Sequence, residues 1–326
     1  MNDAQLEKTT LTKVAWRLIP FVCVLYVLNI LDRANLGFAR LQMQDDLVLS
    51  DAMFDLGYGI FYIGYLVFEL PSNLLLHRFG ARRWIARIMI SWGLISSCMM
   101  FVQDQWSFYT LRILLGIAEA GFFPGIILYL SYWFPDRERA KMTAFFMIAI
   151  GLASVLGNPL SGLIMQFLDT VGGLRGWQWV FLLEGIPSVI LGFVVLSYLT
   201  DYPKDATWLS TEEREWLVNH IEQEQHEQRQ IHNADRLGAI LQGRVWLLIA
   251  IYFTVAIGAN AGGAYFPTLI KAEYERASTF QIGLLSALPH LCSVIGMTLF
   301  GSSSDRKQER RGHLAAAAIL ASVGWG

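Results

Sequence analysis

The chain has 326 residues, of which 54% are hydrophobic and 16% charged, with a formal net charge of −2. A soluble domain carries roughly 25% charged residues. This balance, together with a mean hydropathy of +0.42, excludes a disordered protein, argues against a soluble enzyme and leaves no basic face for nucleic acid. What remains is a polytopic, all-α protein of the lipid bilayer.

A spanning helix needs about 20 mostly apolar residues. In chain order such runs occupy 15–37, 54–76, 84–103, 106–133, 142–168, 177–199, 245–268 and 281–302, and a ninth starts at 313 and continues to 326. The first thirteen residues are polar and no small-residue cleavage site follows, so the first run reads as a retained span. Cys23, Cys98 and Cys292 lie in apolar runs without a C-x-x-C pair and read as small buried residues, not as disulfide or metal ligands. No metal and no cofactor are expected. No P-loop, dinucleotide fingerprint, H-E-x-x-H or G-x-S-x-G occurs, which leaves neither an ATP-driven pump nor a familiar membrane hydrolase with support.

The connections set the expected orientation. Arg78, Arg82, Arg83 and Arg87 follow span 2, Arg137, Arg139 and Lys141 follow span 4, and Arg306, Lys307, Arg310 and Arg311 follow span 8. The alternate connections hold few such residues. The positive-inside rule puts the Arg-rich segments and the N-terminus in the cytoplasm. Segment 38–53, with Asp45, Asp46 and Asp51, then faces outward.

Residues 200–243 form the one long polar stretch. Ser210 with Glu213 reads as a capping box that opens the charged, Gln-rich run Glu212–Gln230, a surface helix. The predicted organisation is a six-helix transmembrane bundle over 1–199, a cytoplasmic linker with an amphipathic helix over 200–243, and a partial second bundle over 244–326. Asn73–Arg83 and Gly301–Arg311 each follow the second span of their half. Two similar halves joined by a central loop is a layout of secondary transporters.

A charge at the centre of a span costs about 2.5–3.5 kcal/mol on insertion scales, so each needs a partner or a wet cavity. The candidates are Asp32, Arg33, Glu69, Arg112, Glu119, Glu184 and His290. Arg112 and Glu119 lie two helical turns apart, on one face of span 4. At ~1.5 Å per residue Arg112 sits about 9 Å in and Glu119 about 20 Å in. Asp32, in the outer half of span 1, shares the depth of Arg112 and is expected to pair with it. Glu119, with no cation nearby in its own helix, is expected to take up protons, because desolvation favours a neutral carboxyl.

By depth alone, Glu69 is matched to the inner arginines, Glu184 to Arg175, and His290 to a buried hydrogen bond. In span 7, Gly258, Gly262, Gly263 and Pro267 suggest a local break beside Asn260, the second-half candidate for a substrate hydrogen bond. Gly157-Asn158-Pro159 reads as a kink in span 5.

With these residues in hand, the sequence resembles the major facilitator superfamily and, within it, the anion:cation symporters. The superfamily loop motif G-x-x-x-D-R-x-G-R-R is matched at Gly301, Asp305 and Arg306. The first copy departs, with Asn73 and His77 in place of Gly and Asp, but keeps Arg78, Gly80, Arg82 and Arg83. More specific matches are Leu31-Asp32-Arg33-Ala34-Asn35, Glu69-Leu70-Pro71-Ser72-Asn73, the span 4 segment from Arg112 through Gly116 and Glu119 to Gly121, Trp177 to Pro187, and Trp208 to Glu213. The chain is similar to bacterial permeases for 4-hydroxyphenylacetate, sugar acids and tartrate.

The resemblance implies a fold of two six-helix bundles, the second incomplete here, in a bacterial inner membrane, and action as a monomer. It implies Asp32 and Glu119 as proton-coupling residues, and Arg112, Arg33 and Tyr65 as residues that meet the anion. The motif loops, Arg78 to Arg83 and Gly301 to Arg306, would clamp the two halves. The family has twelve spans and this sequence stops in the ninth, so it reads as C-terminally truncated and is not expected to transport alone. The expected activity is uptake of a small organic carboxylate with protons. An antiporter or effluxer of the same architecture, and a non-transporting sensor, stay open as alternatives.

Overall fold

The computed structural model describes residues 3–231 and 243–325, and within them the chain is helical with no strand. The elements are α1 (Asp3–Asp46), α2 (Asp51–Phe79), α3 (Ala81–Cys98), α4 (Gln105–Glu119), α5 (Phe122–Trp133), α6 (Asp136–Phe167), α7 (Gly176–Tyr198), α8 (Thr211–Ile231), α9 (Gly243–Glu273), α10 (Thr279–Lys307) and α11 (Arg311–Trp325). Among the described residues seven stretches are long and apolar enough to cross a membrane: α1, α2, α3 with the short 99–101 turn, α4 with α5, α6, α7 and α10; α9 holds a shorter apolar run over Val245–Gly258.

Local chemistry sets the ends. Ser50 caps α2 by accepting from the Met53 backbone N–H. Asp104 caps α4, accepting from Ser107 N at 2.7 Å. The Ser210–Glu213 box at α8 forms as its sequence predicts: Ser210 N donates to Glu213 and Glu213 N donates to Ser210 Oγ. The Arg-rich segments, read from sequence as loops, are mostly helix ends. Gly80 alone separates α2 from α3, and Gly301 and Arg306 lie within α10. His77 and Arg78, and again Arg306 and Lys307, occupy last turns, where cations meet the negative end of the helix dipole.

Span 4, one continuous apolar run in the sequence, is two helices. Ala120 leaves helical geometry and Gly121 takes a left-handed φ of +84°. A Cβ at Gly121 would sit 2.4 Å from Ser72 Oγ, so glycine answers both the backbone turn and the close approach of α2. α6 runs on through Pro159, the place of the expected kink, and α9 runs through Pro267, where the sequence suggests a local break.

Small residues set the spacing of the bundle. A Cβ at Gly116 would lie 2.1 Å from the Phe61 carbonyl oxygen, which shows how closely α4 meets α2. Gly93 of α3 and Gly185 of α7 meet likewise. Around these contacts Trp92, Phe122, Tyr129, Trp133 and Phe146 are fully buried in one apolar cluster. α8 returns to the start of α1 through a Lys13–Glu213 ion pair of 2.8 Å.

The helices after α8 meet α6 from Gln166, toward the end of α1 remote from the N-terminus, down to Gly151, which packs on Val294. Asn158 donates to the Ser286 carbonyl (3.0 Å), Thr279 Oγ1 to the Gly162 carbonyl (3.0 Å) and Phe280 N to Gln166 (3.3 Å). At the same end, Arg40 pairs with Asp51 and Asp55 and lies 5.1 Å from the ring centroid of Tyr265.

Candidate functional site

Asp32 and Arg33 are consecutive on α1, so they point about 100° apart around it. That angle divides the intramembrane charges into two groups.

Arg33 faces α4. Its guanidinium donates to the Glu119 carboxylate, which also accepts from Asn29 Nδ2 at 2.7 Å. Asn29 precedes Arg33 by one turn, so one stripe of α1 supplies both donors. Glu119 is 1% exposed and is the last residue of α4 before the break at Gly121. The Arg33 guanidinium also lies 4.9 Å from the centroid of Tyr65 and 5.6 Å from that of Phe61.

Arg112 stands on the other side of Phe61, 4.6 Å from its centroid. It is buried, and its hydrogen bonds run to backbone carbonyls: Nε to Gly57 at 3.1 Å and Nη2 to Tyr58 at 3.5 Å. Among the described residues it pairs with no carboxylate. The tight α2–α4 contact at Gly116 and Gly57 brings the guanidinium to those carbonyls. Tyr58 and Tyr62 continue the same face of α2. Their hydroxyls are 3.3 Å apart, and Tyr62 donates to Asn260 Oδ1 at 2.7 Å. Asn260 Nδ2 in turn donates to the Ala256 carbonyl.

The structure thus brings Arg33, Tyr65, Arg112, Glu119 and Asn260 around a single face of α2. The sequence reading did not single out Tyr58, Phe61, Tyr62 or Asn29. The signal was present in the helical spacing of Tyr58, Tyr62 and Tyr65, which stacks hydroxyls on one face.

Asp32 turns the other way. It does not pair with Arg112, a correction to the depth argument. Instead Trp92 Nε1 donates to one oxygen, and Ser96 Oγ (2.5 Å) and Asn35 Nδ2 (3.1 Å) to the other. The two groups share a depth but not a direction. Glu184 does not reach Arg175 either: it accepts from Ser161 Oγ at 2.6 Å, while Arg175 pairs with Asp46 and lies 3.8 Å from Asp169. The Glu69 carboxyl makes no ion pair with the inner arginines among the described residues; its backbone carbonyl accepts from Asn73. His290 lies edge-on to Phe266, with ring centroids 6.2 Å apart.

In the first motif segment, Arg82 N donates to Asp201 Oδ1 at 2.8 Å, so a residue three positions beyond α7 caps the start of α3. His77, which stands where the motif has Asp, meets the Tyr132 hydroxyl at 3.0 Å. Arg78 lies over the neighbouring Phe79 ring, 5.8 Å from its centroid, and Arg83 follows in the first turn of α3. In the second segment Gly301 and Arg306 are exposed on α10, and the Asp305 side chain lies outside the described residues. No group of three or more His, Cys, Asp or Glu residues able to hold a metal occurs among the described residues.

The family model of the Major Facilitator Superfamily matches residues 22–326. A protein of Agrobacterium vitis named "Putative tartrate transporter" is 48% identical over 322 residues, which is 99% of this chain and 73% of that protein. The "Quinolone resistance transporter" of Acinetobacter baumannii is 40% identical, over 95% of this chain and 71% of its own. In overall fold the chain is similar to the crystal structure of a bacterial homologue of the human lysosomal transporter Spinster. The TM-score is 0.69 at 16% identity, covering 90% of this chain and 63% of that one.

Proposed function

The chain belongs to the major facilitator superfamily, a multi-pass membrane transporter rather than an enzyme, and we propose that it imports a small organic carboxylate together with protons. The observation that carries this reading is Arg112: a buried cation with no carboxylate partner among the described residues, beside the ring of Tyr58, whose hydroxyl meets that of Tyr62. A buried charge of that kind is costly unless something neutralises it. A substrate carboxylate supplies the missing charge, and Tyr58, Tyr62 and Asn260 supply polar contacts for its remaining oxygens. The similarity to a protein named for tartrate transport supports a carboxylate cargo.

Glu119 and Arg33 form the coupling element. While Glu119 is ionised it occupies Arg33. A proton on Glu119 weakens that pair and frees a second guanidinium for the anion, so proton and cargo bind together. Asp32 is the second coupling residue. The protein sits in a bacterial inner membrane as a monomer, with its N-terminus and the Arg-rich helix ends in the cytoplasm. Residues 1–199 and 244–326 belong to two bundles that rock about the site, and 200–243 joins them. With the contacts of Arg40 with Tyr265 and of Gln166 with Phe280 on the outer side, the arrangement reads as closed outward. The Arg-rich motif segments at the inner helix ends, including Arg78, Arg82 and Arg306, serve the opposite closure.

The test is uptake of labelled tartrate by membrane vesicles under an imposed pH gradient. Glu119→Gln is expected to keep exchange while losing uphill accumulation; full proton-driven accumulation by this variant overturns the coupling assignment. The 40% identity to a protein named for quinolone resistance favours a second reading, efflux. Under proton-coupled efflux the dependence on the gradient is inverted: an acid exterior drives label out of loaded vesicles, and only an acid interior accumulates tartrate.

A further inference from the structure

On the side of α1 away from Arg33, the bundle encloses a second carboxyl beside Asp32. It is Glu184 of α7. Asp32 and Glu184 are each 3% exposed, and α3 joins them: Ser96 donates to Asp32, and Gly185, the neighbour of Glu184, packs on Ser97. Asn35, one turn beyond Asp32, donates to Asp32 Oδ1 and has its side chain against the Glu184 carboxyl as well. The amide stands between two acids.

The groups that face the pair are few. α1 gives Asn35, α3 gives Trp92 and Ser96, and α6 gives Ser161. Arg33, the next residue of α1, turns away and pairs with Glu119 of α4. No arginine, lysine or histidine pairs with either carboxyl among the described residues. Two anions without a counter-cation are not both sustained out of water. The hydrogen-bond pattern says which one is neutral. Asp32 is supplied with three donors across its two oxygens. Glu184 has one donor, on Oε1, and its Oε2 is buried with no partner, as is Asn35 Oδ1. An ionised Glu184 would keep a full charge out of water with one donor and a bare oxygen, whereas a proton there removes the charge.

We propose that Glu184 carries a proton in this state, and that Asp32, Asn35 and Glu184 form a proton site separate from Glu119 and Arg33, holding one proton between two carboxyls. As a coupling device it rests on the transport reading above; as a protonated acid it does not.

The experiment therefore has two arms. The first is infrared spectroscopy of the purified protein in lipid at neutral pH, which reads the carbonyl stretch of a protonated carboxylic acid without any flux. The expected result is a band that Glu184→Gln removes and Glu119→Gln leaves. A wild-type spectrum without such a band, or a band removed by Glu119→Gln and untouched by Glu184→Gln, overturns the proposal. Should Glu184→Gln fail to fold, Asn35→Leu replaces it: loss of the amide bridge is expected to shift the band, and an unshifted band counts against the site. The second arm is the pH profile of tartrate accumulation. Glu184→Gln is expected to move it, and an unmoved profile with the band lost means that the proton is held but plays no part in coupling, which overturns that half of the proposal. If wild-type vesicles show no flux at all, the transport reading fails and the infrared arm still decides the proton.

Discussion

Glu119 and Asp32 are buried to nearly the same degree, 1% and 3% exposed, and lie on two different sides of α1, yet they are held by opposite means. Glu119 is neutralised by a cation, Arg33, which stands beside aromatic rings on the face of α2 that meets α9. Asp32 has neutral donors only, an indole, a hydroxyl and an amide, and a second acid behind it. A carboxyl held by a cation responds to anything that competes for the cation. A carboxyl held by dipoles responds chiefly to protons. The first arrangement suits an exchange between a residue and a cargo anion, and the second suits storage.

The contrast can be broken most forcefully at Arg33. Arg33→Gln leaves Glu119 buried without its counter-ion, at an expected cost of about 3 kcal/mol, the lower end for a broken buried pair because the Arg33 side chain is 28% exposed. The loss is read as a lower unfolding midpoint in detergent, and most of it should return when Glu119→Gln is added. An unchanged midpoint in the single variant would mean that the pair contributes nothing to the fold.

The next effect is smaller. Trp92→Phe removes one neutral donor from Asp32 and is expected to cost about 2 kcal/mol. A loss larger than that of Arg33→Gln would reverse the ranking of cation over dipole on which the comparison stands.

The smallest effect concerns a carboxyl outside the membrane, which serves as a reference. Partial burial pushes Glu213 up, but the Lys13 ammonium and the Ser210 backbone N–H outweigh it and hold the group below the ordinary glutamate value. The folded-state value is thus below the unfolded one. Its stabilisation is present above the unfolded value and is lost as the pH falls through the folded one. Lys13 is largely solvated, so the contribution stays within about 1 kcal/mol. Hydrogen exchange over the first turns of α8, followed as the pH falls through the carboxylate range, should show this undocking, and Glu213→Gln should abolish its pH dependence.

What could be read from the sequence divides along a physical line. The spans were legible because the bilayer imposes a length, and Asp32, Arg33, Arg112 and Glu119 were legible because charges in apolar runs are conspicuous. Their partners were not. Depth along a helix follows from counting residues, but direction around it follows from packing, and Asp32 with Arg112 and Glu184 with Arg175 agreed in the first and failed in the second. The break at Gly121 was hidden because hydropathy does not register a backbone turn inside an apolar run. Tyr58 and Tyr62 were passed over because aromatic residues are ordinary in a membrane helix until a cation and Asn260 are seen beside them.

Arg112 has one more consequence. Its anchors are the peptide carbonyls of Gly57 and Tyr58, and these do not titrate at any physiological pH. The proposed site therefore holds one permanent positive charge and one conditional charge, Arg33, released when Glu119 takes a proton. In alkaline surroundings the permanent charge would still hold the anion while the conditional one stays engaged. Such a carrier idles loaded rather than empty, and leakage of cargo without its proton is limited by Arg33, not by affinity.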